Sequence, residues 1–195
     1  MERLIRCSWL HSTMAPPQSV DFQIRPAEGT DAGGIATVHM RSWQTAYRGI
    51  LPDDFLDALS IPEREQRMQE TMATKRPERR VWVAESPDGI LGFSDAGPSR
   101  ENNAPSSAGE VYAIYLDPVA VGRGIGRELF GHTVADLRDS DYGYATLWVL
   151  EANQRARRFY EKAGWRPDGT SSLWERFNVN ALRYRVDFAP QSAGH

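Results

Sequence analysis

The stretch GEVYAIYL followed by DPVAVGRGIGREL, residues 109–129, limits the possible folds more than any other part of this chain. Its first eight residues alternate too little for a half-exposed strand, so they read as a strand central in a sheet. Gly122, Gly124 and Gly126 follow, and a helix is expected from 124 to about 138. Glycines between a strand and a helix let the backbone bend sharply and approach a ligand with no Cβ in the way. The free N–H groups of the helix start, with the dipole behind them, favour an anion, most naturally a phosphate. Arg123 and Arg127 add positive charge beside it. With ATLWVL as the next strand, the segment forms a β-α-β unit whose crossover is expected to be right-handed.

The rest of the chain builds outward from this unit. VDFQIR reads as a strand closed by Pro26, and Thr30 or Asp31 can cap the helix that follows. On that helix Ala36, Met40, Trp43 and Tyr47 share one face. Gly49 ends it, Pro52 and Asp53 open the stretch DDFLDALS, and Pro62 opens another that runs to about Ala73. RRVWVAES and ILGFSDAG form a hairpin across SPDG, and SRENNAPSSAG is a polar loop. A helix from Asn153 to Ala163 and strands near Gly169–Phe177 and Ala181–Phe188 complete a mixed α/β sheet. Residues 1–19 are expected to be an extension, with Met14 an alternative start, residues 20–188 one domain, and 189–195 a frayed tail.

Composition then removes whole classes of function. A chain of 195 residues with 41% hydrophobic and 25% charged content fits one globular domain rather than a disordered or fibrous chain. A net charge of −3 argues against nucleic acid, which basic proteins bind. No apolar run reaches the roughly 18 residues that a bilayer span needs, so no membrane partner is expected. The lone Cys7 cannot form an internal disulfide, which points to a reducing compartment and the cytoplasm. His11, His39, His132 and His195 show no metal-ligand spacing, so no metal is expected. GFSDAG misses the GxSxG nucleophile elbow because Gly97 falls one place late.

Two phosphate motifs fail at the glycine turn. No Lys follows it, as a Walker A loop requires, and its spacing is GxGxG rather than the dinucleotide pattern GxGxxG. The turn instead resembles motif A of the GNAT superfamily of acetyl-CoA-dependent N-acyltransferases, [RQ]xxGxG[AG], with Gly124 and Gly126 matching and Val121 standing at the Arg/Gln position. LWVLEANQRARRFYEKAGW is similar to motif B of that family, with Val149, Asn153, Ala156, Tyr160, Gly164 and Trp165 in register. SWQTAYRGILPDDFL resembles the WxxAYxGxLP segment common in its bacterial members. The resemblance covers about residues 20–188. It implies a mixed, mostly antiparallel α/β (α+β) sheet of about seven strands flanked by about four helices.

It also implies roles for named residues. Acetyl-CoA is the expected cosubstrate. Main-chain groups of Ile114, Tyr115 and Leu116 would bond its pantetheine arm, one N–H polarising the thioester carbonyl. The turn Val121, Gly122, Arg123, Gly124, Ile125, Gly126 and Arg127 would hold the pyrophosphate. Asn153 reads both as a helix cap and as a cofactor contact. Tyr160 stands where the family's leaving-group acid does, and the stripe Ala156, Phe159, Tyr160 and Ala163 also suits core packing. Glu110 lies eleven positions before Val121, the offset of the base in the histone-acetylating branch, and Glu151 is a weaker candidate. Trp43, Tyr47 and Trp174 are candidates for the acceptor wall. The expected reaction is direct attack by a small-molecule primary amine in a ternary complex, in a monomer or a homodimer. A CoA-binding sensor without catalysis and an enzyme for a longer acyl chain are the alternatives.

Overall fold

A computed structural model describes residues 21–74 and 76–189. The expectations for residues 1–19, for Met14 and Cys7, and for the tail from 190 onward lie outside the described residues. The elements are β1 (Gln23–Pro26), α1 (Ala32–Ala46), α2 (Asp53–Asp57), α3 (Ile61–Ala73), β2 (Arg80–Ser86), β3 (Gly89–Pro98), β4 (Ala108–Leu116), α4 (Ile125–Asp139), β5 (Tyr144–Leu150), α5 (Gln154–Lys162), β6 (Arg166–Trp174) and β7 (Val179–Asp187). The seven strands form one sheet in the order β1-β2-β3-β4-β5-β7-β6. Every pairing is antiparallel except β4 with β5. Among the described residues five α-helices flank the sheet, since the short stretches at Pro52 and Pro62 fold as separate helices.

Alternation along the strands sorts the helices into two layers. Val83 packs with Ala32, Ile35 and Val38 of α1 and Met68 of α3, whereas its neighbour Ala84 packs with Ile125 and Leu129 of α4. Adjacent strand residues face opposite sides of the sheet, so α1 and α3 cover one face and α4 the other. The same parity holds in β3, where Phe93 joins the α1 side and the Ser94 hydroxyl lies 2.6 Å from that of Thr133 on α4. A third cluster joins α4 and α5 to the far strands through Phe130, Tyr160, Trp165, Leu147 and Tyr184. Burying a side chain of the size of Phe93 stabilises the fold by about 1.5–3 kcal/mol.

Two local expectations change in detail. Asp31 stands at the start of α1, yet its carboxylate makes no cap hydrogen bond to that helix. It accepts instead from both terminal nitrogens of Arg25, at 2.7 and 2.8 Å, and from the Glu28 N–H at 2.8 Å. The final strands begin earlier than their sequence suggests, at Arg166 and Val179. Gly169, read as a strand start, sits at φ +90° where the β6–β7 register shifts between Pro167 and Ser171. Residues 175–177 turn as a short 3₁₀ helix that ends on Asn178 at φ +51°.

The feature that places the site is a broken pairing. β4 and β5 pair only at Ala108–Tyr144, Gly109–Ala145 and Glu110–Thr146. From Val111 to Leu116, β4 stays bonded to β3 and leaves β5, which pairs along its length with β7. The sheet opens there as a wedge, with the start of α4 at the end of β4 and the start of α5 at the end of β5.

Candidate active site

The glycine turn is built by two different constraints. Gly122 and Gly124 sit at φ +86° and +87°, where a side chain is strained. A Cβ at either position meets no atom within 4 Å, so the space above the turn is open. Gly126 has no such backbone demand; a Cβ there would lie 2.7 Å from Leu116 Cδ1. It lets the helix start sit directly against the end of β4. The chain enters the turn anchored by buried Asp117, whose carboxylate accepts from the Val119 N–H at 3.1 Å and from Arg41 at 3.0 Å.

The turn leaves donors without partners. Arg127 and Glu128 both donate to the Gly124 carbonyl, at 2.9 and 3.2 Å. The N–H groups of Gly124, Ile125 and Gly126 find no acceptor among the described residues. They stand at the positive end of the 15-residue α4. A cleft of about 400 Å³ opens over them, lined also by Ile114, Tyr115, Leu116, Asn153 and Tyr160. Val121, Gly122 and Arg127 line it too, whereas Arg123 does not and Ile125 is fully buried in the core. The cleft adds Ser42 of α1 and Arg155 and Phe159 of α5. No motif marks Arg155, and its only signal in sequence is its place two residues past the capping Asn153.

Asn153 does cap α5: its Oδ1 accepts from the Ala156 N–H at 3.1 Å. Tyr160 is 9% exposed, with its ring against Phe130 and Phe159 at centroid distances of 5.4 Å. Its hydroxyl bonds to no described residue, and the residue borders both the cleft and a smaller cavity of about 100 Å³ inside the β4–β5 wedge. Burial, with Tyr115 nearby, pushes that hydroxyl well above its usual pKa, so it stays protonated at neutral pH. Tyr47 borders the same small cavity, and burial beside Tyr115 and Tyr160 raises it as well.

A third cavity, of about 600 Å³, lies on the far side of Tyr115. Trp43 and Trp174 both line it, packed edge to face at 6.3 Å. Trp43 also touches Tyr47 at 5.1 Å and Phe55 at 6.4 Å. The structure thus gathers Trp43, Tyr47 and Trp174 from distant parts of the chain around Tyr115. That tyrosine borders all three cavities.

A family model for the acetyltransferase (GNAT) family matches residues 40–165, which carry the wedge, the glycine turn and α5. This chain is a member of the GNAT family. It is therefore a GNAT-type N-acetyltransferase, and acetyl-CoA is its cosubstrate. It is 34% identical over 131 residues to the uncharacterized N-acetyltransferase YuaI of Bacillus subtilis, covering 67% of this chain and 72% of that one. A probable N-acetyltransferase of Mycobacterium tuberculosis is 29% identical over 174 residues, 85% of this chain and 94% of the other. The fold matches the PaiA N-acetyltransferase of Thermoplasma acidophilum, solved in complex with coenzyme A, with a TM-score of 0.72 at 17% identity over 87% of this chain and all of that one.

Within this GNAT fold Glu110 is not brought to the cleft. It lies in the paired half of β4, is 2% exposed, and lines none of the three cavities. Arg100 occupies its carboxylate, donating from its main-chain N–H at 2.8 Å and from Nη2 at 2.5 Å. Glu151 sits at the surface, where its Oε2 accepts from Asn180 at 3.3 Å. Among the described residues no cluster of His, Cys, Asp and Glu could hold a metal, and no helix is long and apolar enough to cross a membrane.

Proposed function

We propose that this N-acetyltransferase transfers the acetyl group to the primary amine of a small molecule, by direct attack within a ternary complex. The observation that carries the reading is the position of Tyr115 between two cavities: one floored by unpartnered amides, the other walled by aromatic side chains. The amides of Gly124, Ile125 and Gly126 hold the pyrophosphate, with Arg127 and Arg155 beside them. Main-chain groups of Ile114, Tyr115 and Leu116, freed where β4 leaves β5, bond the pantetheine arm, and one N–H there faces the oxygen on which charge develops. The amine sheds its first proton to solvent, and Tyr160, protonated and at the wedge, gives its proton to the departing thiolate and regains one from the new amide nitrogen. Asn153 holds α5 in place and turns its amide towards the cleft. The amine enters past Trp43 and Trp174 to Tyr47 and Tyr115.

Glu110 is not given the base role in this scheme, because Arg100 holds its carboxylate away from the amine. Among the described residues Ser42 borders the cleft, but no base is hydrogen-bonded to its hydroxyl to activate it as an acyl carrier, which favours direct attack. The bounded acceptor cavity favours a small molecule over a folded protein surface. We place the reaction in the cytoplasm, where a chain with a lone cysteine meets no demand for disulfides. The test is calorimetry with CoA, followed by CoA-thiol release over a panel of small amines and peptides. Binding with release on small amines supports the reading, and release on peptides alone overturns the acceptor class.

A further inference from the structure

The acceptor cavity carries charge that acetyl transfer by itself does not require. Arg64 and Arg67 of α3 and Arg176 of the turn after β6 line it, against one carboxylate, Glu63. None of the three arginines forms an ion pair among the described residues. The nearby Asp95 is already taken, since Arg79 holds both its oxygens at 2.8 and 2.5 Å. Arg64 is half-buried, and its Nε is fully buried without an acceptor. His39 Nδ1 and Trp43 Nε1, in the same wall, are likewise buried without partners. Arg176 is held over the rings of Phe55 and Phe177, at 4.9 and 5.0 Å.

A guanidinium withdrawn from water with no counter-charge is unfavourable, and an anion in the cavity relieves it. The planar fork of arginine matches a carboxylate with two parallel hydrogen bonds. We propose that the acceptor is an amine that also bears a carboxylate, an amino acid or a close acidic relative, with its anion against Arg64 and Arg67 and its amino group towards Tyr115. This rests on the acyl-transfer reading above, and it narrows the acceptor from any small amine to an anionic one. The aromatic wall of Trp43, Phe55 and Trp174 then takes the side chain.

The test uses products, so that it does not depend on turnover. N-acetyl derivatives of glycine, alanine, methionine, phenylalanine and glutamate, each with its carboxamide, are titrated by calorimetry into the full chain with CoA present. At least one acid is expected to bind about 10-fold or more tighter than its own amide, as a charge-assisted pair requires. In Arg64→Gln that preference should fall below about twofold, and in Arg67→Gln it should shrink by a smaller factor. Thermal unfolding checks each variant, and Arg67→Gln, on the exposed side of α3, keeps the test open should Arg64→Gln not fold. Acids that bind no better than their amides, or a preference that survives both substitutions, overturn the proposal. CoA binding and thiol release are read separately: amides acetylated as well as acids sink only the anion site, whereas lost CoA binding sinks the acyl-transfer reading.

Discussion

The cleft over the glycine turn and the aromatic cavity, proposed above as donor and acceptor sites, meet at Tyr115 and are built by opposite means. The donor cleft is made of backbone: two glycines at positive φ, a third that clears Leu116, and amides at the start of α4. The acceptor cavity is made of side chains from α1, α2, α3, β4, the end of β6 and the turn after it, spread from His39 to Arg176. Backbone recognition needs fixed local conformation, so it concentrates its demands on a few neighbouring residues. Side-chain recognition needs only that certain groups end up in one place. The first surface is expected to tolerate little change, and the second to be adjusted residue by residue.

The largest predicted effect tests the donor side. Gly124→Glu sets a carboxylate beside the pyrophosphate; like charges about 4 Å apart near a surface repel by about 4 kcal/mol, so CoA affinity should fall by about 100-fold or more. Gly124→Ala separates charge from strain. Its Cβ meets nothing within 4 Å, so affinity should hold while stability falls by about 1–2 kcal/mol from the left-handed conformation. Calorimetry and denaturant melts measure both, and a CoA affinity untouched in Gly124→Glu would remove the turn as the anion site. Next in size is Tyr160→Phe, which keeps the packing against Phe130 and removes the proton. Turnover should drop about 100-fold or more, with the KM for acetyl-CoA nearly constant. Equal turnover would leave Tyr160 a packing residue.

The same contrast explains what the sequence made legible. The glycine turn, the central strand and the α5 motif are local patterns, and each stands in the fold where its periodicity and spacing put it. Gly169 misled because glycine serves both at a strand start and in a bulge, and only the register with β7 distinguishes these uses. Arg155 carried no pattern, since nothing local distinguishes it from Arg157 and Arg158 of the same helix, which do not line the cleft. No motif singles out Arg64 and Arg67 among the charges of α3. Their isolation appears only once Asp95 is seen to be held by Arg79, a contact across 16 residues and two elements.

Glu110 sharpens the comparison, because its offset from the turn suggests chemistry and its surroundings suggest structure. Its carboxylate holds Arg100 and the main-chain N–H that fixes the 99–107 loop against β4. Glu110→Gln should therefore cost about 1–3 kcal/mol of stability, the range for a buried charge-assisted bond. The pH–rate profile should keep its shape. A profile whose base limb moves in this variant would return Glu110 to the chemistry and place the amine on the other side of β4.

The last effect is a pH dependence that reports on the acceptor wall alone. His39 is 6% exposed, packed against Trp43 at 5.1 Å and Tyr115 at 4.8 Å. Burial, with the Arg64 charge adding to it, lowers its pKa from 6.5 to about 3. The unfolded chain takes up a proton near pH 6.5 that the folded chain refuses until about pH 3. Between those values the unfolded state binds more protons, and stability falls as pH falls. This one group contributes a slope of up to about 1.4 kcal/mol per pH unit across that window. Above pH 7 it contributes none. Unfolding free energies of wild type and His39→Gln, measured between pH 4 and 7.5, should diverge in slope below pH 6.5 and run parallel above it. Parallel curves throughout would mean that His39 charges in the folded chain, which requires a counter-charge in the acceptor wall and would end its contrast with the donor cleft as a surplus of unpaired cations.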